Sequence, residues 1–162
     1  GGPDQAGAAL GDDDLAAVLE PGAPRPSARF RAMRTLAEAG MLTGVTLMPI
    51  LPFLEDDPDN ITRIVTLARE NGASYIIPAF GVSLRKGSRD YFYQKLDQFF
   101  PGMKNRYIQQ FGDQYQCASP RWKELTDLFF SLCETSEIAV RVPVFQAERI
   151  TAPPGQLKLF TD

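Results

Sequence analysis

The chain has 162 residues, of which 44% are hydrophobic and 23% are charged, and its formal net charge is −3 at pH 7. This balance is that of an ordinary folded domain and excludes the disordered and collagen-like classes. The sequence has no histidine and two cysteines, Cys117 and Cys133. One copy therefore cannot supply a Ser–His or Cys–His nucleophile pair, or the four cysteines of a zinc or iron–sulfur site.

The predicted elements begin with two helices. Residues 1–11, rich in glycine and alanine, predict a disordered end or an expression remnant. A short helix is expected over residues 12–20, and a proline-rich turn ends it because proline cannot continue a helix. Ser27 is the expected N-cap of the next helix, which covers residues 28–39 and stops at Gly40.

A strand–helix–strand unit is predicted to follow. The apolar run Leu42–Leu51 contains β-branched residues and predicts a buried strand. Pro58 starts a second amphipathic helix, which ends near Asn71, and Tyr75–Phe80 predicts the next strand. Two strands joined in this way form a right-handed crossover, the repeating unit of parallel α/β proteins.

The second half of the chain predicts mainly helices. They are expected over residues 89–100, 103–111 and 120–136, with a loop at 112–119, and residues 138–145 predict a final short strand. The predicted fold class is therefore α/β, with two or three parallel strands followed by a mainly helical extension.

The expected division of the chain places the βα units in residues 12–80 and the extension, with its final strand and tail, in residues 81–162. So few parallel strands leave an exposed sheet edge, and an exposed edge pairs readily with another strand. The expected partner is a missing N-terminal half, another chain or a second copy of this one.

No apolar run reaches the ~18 residues of a membrane helix, and residues 1–14 lack the pattern of a secretory signal. A cytoplasmic protein with no membrane partner is predicted.

The charges are distributed unevenly. Residues 81–123 carry eight basic and three acidic side chains between two acidic flanks, and they include nine aromatic residues. Basic residues interleaved with aromatic ones can track a phosphate backbone and stack on bases, which favours nucleic-acid binding. The same pattern is typical of amphipathic helices with aromatic cores and solvated basic faces, and the sequence leaves both interpretations open.

Two local features point to a polar ligand. Glu20 precedes the proline-rich turn and Arg29 follows it, so the pair can hold a polar ligand or form an ordinary surface ion pair. The segment Leu47-Met48-Pro49-Ile50 ends the predicted strand, and ligands of parallel sheets lie at the carboxyl ends of the strands. The alternative is a core strand whose prolines end its pairing.

These residues resemble radical S-adenosylmethionine proteins of the DNA repair photolyase-like branch, which are relatives of spore photoproduct lyase. Glu20-Pro21-Gly22, Arg29, Ala39-Gly40 and the strand GVTLMPI keep the spacing of that pattern. The resemblance covers residues 12–160. The later segments that also resemble the branch are Tyr75–Pro78, Phe80-Gly81, Tyr91–Tyr93, Phe100–Gly102 and Leu157–Phe160.

The resemblance implies a partial (β/α)6 barrel that binds S-adenosylmethionine and a four-iron, four-sulfur cluster. Cleavage of that cofactor gives a 5′-deoxyadenosyl radical that takes hydrogen from a substrate, a thymine photoproduct of DNA in the lyase relatives. Carried onto this sequence, Glu20 and Arg29 would bind the polar groups of S-adenosylmethionine. Leu47, Met48 and Pro49 would pass beside its adenine.

The sequence departs from the family at one decisive point, because the CxxxCxxC cluster motif is absent. We therefore expect the C-terminal half of such an enzyme, which holds no cluster and has no activity alone. It would be a truncation or a natural half that needs another polypeptide. In an intact parent Cys117 would either donate to a substrate radical or serve as a structural thiol. The alternatives are a nucleic-acid-binding module that uses residues 81–123, and a fragment that folds only by self-association.

Overall fold

Six helices and four short strands make up the part of the chain that the computed structural model describes, residues 13–19 and 21–143. Their order is α1 (Asp13–Leu19), α2 (Pro26–Glu38), β1 (Gly44–Leu47), α3 (Pro58–Glu70), β2 (Tyr75–Pro78), β3 (Gly81–Ser83), α4 (Ser88–Phe99), α5 (Met103–Phe111), β4 (Gln116–Ala118) and α6 (Trp122–Thr135). The predicted disordered end, Glu20 and the tail lie outside the described residues. None of the described helices combines the length and apolar character that crossing a bilayer requires.

The predicted strand–helix–strand unit is confirmed, since β1 and β2 pair in parallel and α3 connects them. Gly44 lies opposite Tyr75, and Leu47 lies opposite Pro78. On the far side of β2, Tyr75 forms a parallel bridge with Ala139, which is all that the described residues show of the predicted third strand. The other edge of β1 pairs with no strand of the described residues.

The first core fills the space between this sheet and the helices α3 and α6. Its strand residues include Leu47 and Ile76, and its helix residues include Ile64, Leu125 and Phe129, all fully buried. Burying each such side chain contributes roughly 1.5–3 kcal/mol. The apolar spacing along α3 and α6 therefore holds β1 in place and fixes where its carboxyl end lies.

The expectation of a mainly helical extension needs correction, because β3 and β4 form an antiparallel pair within it. β4 falls in the segment predicted as a loop. A Cβ at Gly81 would lie 2.7 Å from the carbonyl oxygen of Cys117 and 2.8 Å from the Cα of Ala118. Glycine thus permits the close approach of the two strands, and strands of three residues are too short to show an alternating pattern.

A second core lies under α4 and α5. Tyr107 is fully buried at its centre, and its ring contacts the rings of Phe53, Phe92, Tyr93 and Phe111 at centroid distances of 5.2–6.5 Å. Several aromatic residues of the basic segment are thus core residues. Phe53 comes from the β1–α3 loop, so this core also joins the two halves of the described chain.

Two predicted boundaries are wrong in detail. The residue before α2 is Arg25, with Pro26 in the first turn, and Ser27 lies inside the helix. The backbone N–H and the hydroxyl of Ser27 instead donate to the Asp13 carboxylate of α1, at 2.9 and 2.6 Å. The predicted strand Leu42–Leu51 is shorter than expected, since β1 covers only Gly44–Leu47. Pro49, two residues beyond its end, has no N–H to continue the pairing.

Candidate functional site

A cleft of about 250 Å³ opens at the carboxyl end of β1. We call it the strand-end cleft. One wall comes from α2, β1 and the β1–α3 loop, and the other from β3 and α4. Its lining residues are Leu19, Arg29, Thr46, Met48, Pro49, Leu51, Glu55, Val82, Tyr91, Phe92 and Lys95. This is the place where parallel α/β proteins bind ligands.

Glu55 is the acidic residue of this cleft, and it is 2% exposed. Its Oε2 accepts a 2.8 Å hydrogen bond from the backbone N–H of Leu51, and its carbonyl oxygen accepts one of 2.8 Å from the Asn60 side chain. The first bond lies within the segment that connects β1 to α3, and the second ties the Glu55 backbone to the first turn of α3. The carboxylate is therefore held in one position before any ligand arrives.

The next residue, Asp56, ties the same turn to the rest of the fold. Its Oδ1 accepts a 2.7 Å hydrogen bond from the backbone N–H of Phe53, and its Oδ2 accepts one of 2.6 Å from the Ser119 hydroxyl. Tyr107 donates a further bond to the carbonyl of Pro52. The loop below the strand-end cleft is thus fixed from α5 and from the residue that follows β4, as well as from α3.

Basic and aromatic groups line the remaining walls. Arg29 projects from the first turns of α2, and Lys95 belongs to α4. The Lys95 Nζ lies 5.5 Å from the ring centroids of both Tyr91 and Phe99, a distance typical of cation–π contacts. The cleft therefore combines charges of both signs with apolar surface, a combination that suits a small polar ligand.

The structure brings together three of the five residues predicted for the cofactor. Arg29, Met48 and Pro49 line the strand-end cleft. Leu47 is fully buried in the first core and is not among the lining residues. Glu20 lies outside the described residues. Sequence reasoning missed Glu55, although an acid shortly after a proline-marked strand end is the signal that could have found it.

A second cleft of about 260 Å³ runs along the open side of β1. We call it the edge cleft. Its lining residues are Pro26, Arg29, Phe30, Met33, Gly44, Val45 and Thr46. It shares Arg29 and Thr46 with the strand-end cleft, so the two adjoin at the end of β1.

The iron–sulfur cluster that the resemblance implies does not fit the described residues. Cys117 is buried in the second core and Cys133 in the first, so the two thiols cannot share a cluster. Among the described residues, no group of three or more His, Cys, Asp or Glu side chains is placed to hold a metal ion. Burial raises the pKa of Cys117, and it raises the pKa of Cys133 to about 11.

Part of the aromatic set of residues 81–123 lies at the surface rather than in a core. Tyr91, Phe99 and Trp122 are 56%, 40% and 48% exposed. Lys95 lies beside the first two, and the Lys123 Nζ lies 5.6 Å from the Trp122 ring centroid. Aromatic rings of this kind can stack on bases, and the neighbouring lysines can contact phosphates, so these pairs are the groups that a single-stranded nucleic acid would contact.

Three uncharacterized mycobacterial proteins match part of the chain. One is from Mycobacterium bovis and two are from strains of Mycobacterium tuberculosis, and each is 30% identical over 99 residues. The match covers 61% of this chain and 29% of each relative, so this chain spans less than a third of the length of these relatives. No family model matches the sequence, and no solved structure matches it.

Proposed function

We propose that this chain is the C-terminal region of a radical S-adenosylmethionine enzyme of the DNA repair photolyase-like branch. The strand-end cleft is its part of the S-adenosylmethionine pocket, and α4 forms the substrate side. The observation that carries the proposal is that Arg29, Met48 and Pro49 line one cleft at the end of a parallel strand.

The chemistry of the cleft supports this cofactor. S-adenosylmethionine has an ammonium, a carboxylate, a sulfonium and an adenine, and the cleft offers Glu55, Arg29 and apolar surface from Met48 and Pro49. The strand-end and edge clefts, about 250 and 260 Å³, adjoin at Arg29. Together they reach the range of about 300–1,000 Å³ that is usual for ligand pockets.

The remainder of the proposed enzyme is an N-terminal part that supplies the iron–sulfur cluster. When bound, that cluster would supply the electron that cleaves S-adenosylmethionine. The open edge of β1 and the adjoining edge cleft offer a place for a preceding parallel strand, which would extend the sheet toward a partial (β/α)6 barrel. The greater length of the mycobacterial relatives is consistent with such an addition. Self-association through the same edge is the alternative, and a cytoplasmic location is part of the proposal.

The test uses the longer parent protein, whose reading frame should encode CxxxCxxC upstream. After anaerobic reconstitution with iron and sulfide, it should cleave S-adenosylmethionine to 5′-deoxyadenosine. Arg29→Ala and Glu20→Ala should lower that turnover about tenfold or more, because each removes a charged hydrogen-bonding group. Arg31→Ala, an exposed change on α2 away from both clefts, is the matched control. Unchanged turnover in the first two variants would refute the roles of Arg29 and Glu20.

A second candidate is a nucleic-acid-binding module, which the exposed pairs Lys95–Tyr91 and Lys123–Trp122 favour. The 162-residue chain would then shift a labelled single-stranded oligonucleotide at low salt, and the affinity would fall steeply as salt rises. Tyr91→Ala and Trp122→Ala should each weaken this binding, whereas Ile108→Ala, an exposed change without a lysine partner, should not. No binding at low salt removes this candidate.

A further inference from the structure

The open edge of β1 carries backbone groups that pair with no strand of the described residues. Successive residues of a strand point their N–H and C=O groups to opposite sides of that strand. The Leu47 carbonyl accepts a hydrogen bond from the N–H of Ala79, which follows β2. Leu47 and Val45 therefore face β2, and Gly44 and Thr46 present their N–H and C=O groups at the open edge.

α2 lies on the same side of the sheet as α3. Phe30 of α2 packs against the first core, and the Arg34 side chain donates a 3.2 Å hydrogen bond to the carbonyl of Glu70 at the end of α3. α2 begins near the carboxyl end of β1, since Arg29 lines the strand-end cleft, and residues 39–43 lead from its end to the start of β1. α2 therefore runs antiparallel to β1, as a helix that connects two parallel strands does.

The handedness of strand–helix–strand units determines where a strand that precedes α2 would lie. Such units are almost always right-handed when their strands are parallel. In the β1–α3–β2 unit the second strand lies on one side of β1, and the helix packs on the face that carries the first core. A unit of the same hand that uses α2 on that face places its first strand on the other side of β1, which is the open edge.

The edge cleft shows the surface that such a strand would cover. Phe30, Met33 and Val45 give this cleft an apolar lining between α2 and the edge of β1. Leu36 near the end of α2 and Leu42 just before β1 are 44% and 53% exposed. Exposed apolar side chains beside an unpaired strand edge are typical of a surface that another segment covers.

We propose that a β-strand encoded ahead of α1 pairs in parallel with the open edge of β1. Its backbone bonds to Gly44 and Thr46, and one of its apolar side chains fills the edge cleft against Phe30 and Met33. Residues 1–12 do not supply this strand, because they include four glycines and no β-branched or aromatic residue, a composition that disfavours strands.

The strand therefore belongs to the chain ahead of residue 1 in the longer parent. The inference rests on the proposed function for that parent, and it involves no cofactor. The match to the mycobacterial relatives covers 29% of their length, which leaves room for such a segment. A second copy fits the edge less well. Two copies related by a two-fold axis would pair antiparallel, through only the four residues of each β1.

The experiment compares amide hydrogen exchange in the 162-residue chain and in the parent protein, resolved to single residues by mass spectrometry with electron-transfer fragmentation. In the 162-residue chain, Gly44 and Thr46 should be at least about tenfold less protected than Val45 and Leu47, which pair with β2. In the parent, the protection of Gly44 and Thr46 should rise about tenfold or more.

A pair of proline variants gives a second measurement. Thr46→Pro removes an N–H from the open edge, where a strand tolerates proline. Val45→Pro is the matched control, because it removes an N–H that faces β2. In urea denaturation, Thr46→Pro should lower the midpoint of the parent more than that of the 162-residue chain. Val45→Pro should lower both midpoints alike, and an equal effect of Thr46→Pro on the two proteins would overturn the inference.

The outcomes also separate this inference from the proposed cofactor chemistry. Protection of Gly44 and Thr46 in the 162-residue chain would overturn the inference: if it grows with concentration, a second copy covers the edge, and if it does not, the chain covers its own edge. Unprotected amides in the parent would overturn it even if the parent cleaves S-adenosylmethionine. Protected amides in a parent that does not cleave S-adenosylmethionine would support it while the proposed function fails. A natural reading frame that starts within residues 1–12 would exclude the strand.

Discussion

The hydroxyl of Tyr107 donates a 2.7 Å hydrogen bond to the main-chain carbonyl of Pro52, so that α5 supports the loop below the strand-end cleft. Tyr107 is fully buried. Burial, followed by the nearby Asp56 and Glu55 carboxylates, raises the pKa of Tyr107 far above its usual range. The hydroxyl therefore remains protonated, and able to donate, at neutral pH.

Tyr107→Phe should lower the free energy of unfolding by about 1–3 kcal/mol, because it leaves the buried Pro52 carbonyl without its donor. Urea denaturation followed by circular dichroism measures this change. Tyr93→Phe is the matched control, since the Tyr93 hydroxyl is buried and has no hydrogen-bond partner among the described residues. That variant should lose no stability. Equal losses in the two variants would contradict a stabilising role for the hydrogen bond from Tyr107 to the Pro52 carbonyl.

Phe53 has a φ of 66°, in the left-handed region that non-glycine residues rarely adopt. Its ring packs on Tyr107 and Phe111, and the Arg106 guanidinium lies 4.0 Å from its centroid. Both Phe53→Ala and Phe53→Gly remove these contacts, but only glycine relieves the backbone. Phe53→Gly should therefore be about 1 kcal/mol more stable than Phe53→Ala in urea denaturation.

The control for Phe53 is an exposed position inside a helix. There the order of stability of the alanine and glycine variants should be reversed. At Gln94 of α4 alanine should be the more stable substituent by about 1 kcal/mol. If alanine were also better at position 53, the backbone there would not be left-handed in solution.

The β1–α3–β2 unit could be predicted from the sequence because its signals are long and local. Ile61, Ile64, Val65 and Ala68 repeat at helical spacing over about two turns, and Pro58 marks the start of the helix. The β3–β4 pair could not be predicted in this way. Its strands have three residues each and lie more than 30 positions apart, so tertiary contacts rather than local pattern bring them together.

The candidate site, like the fold, could be predicted from the sequence only in part. Arg29, Met48 and Pro49 stand in recognisable local settings, namely a helix start and a strand end. Glu55 stands in a run of three acidic residues that is typical of a solvated loop. Its position after the proline-marked strand end is a local signal, but its burial depends on segments distant in the sequence, which local sequence patterns do not predict.

Both cysteines should be unreactive while the chain is folded. The thiolate is the reactive form, and burial raises the pKa of Cys117 and raises that of Cys133 to about 11. At pH 8, iodoacetamide should label neither cysteine within the time that it labels an exposed cysteine introduced as Ser131→Cys. Mass spectrometry measures the labelling, and 6 M urea should expose both sites. Fast labelling of Cys117 in the folded chain would contradict its burial behind β3.

The Asp13–Ser27 contact predicts a pH dependence. The Ser27 hydroxyl, followed by its backbone N–H, lowers the pKa of Asp13. A carboxyl whose pKa is lower in the folded state than in the unfolded state stabilises the fold above the unfolded-state value, which is about 3.9. That stabilisation is lost as the pH falls through the folded-state pKa. Ser27→Ala should move the Asp13 titration back toward its ordinary range, as followed by NMR of the side-chain carboxyl carbon. Ser88→Ala should leave it unchanged, and an Asp13 titration that is the same in all three proteins would contradict the contact.

The carboxyl end of α6 departs from the pattern at the ends of α2 and α3. Each of the three helices ends with the paired backbone hydrogen bonds of a Schellman motif, in which one residue takes a positive φ. That residue is Gly40 after α2 and Gly72 after α3, but it is Glu137 after α6, with a φ of 56°. Glu137→Gly should therefore raise the free energy of unfolding by about 1 kcal/mol, because it removes the steric cost of the left-handed conformation. Glu137→Ala retains that cost and serves as the control in thermal or urea denaturation. If alanine stabilised the chain as much as glycine, the loss of the carboxylate rather than the relief of the backbone would be the cause.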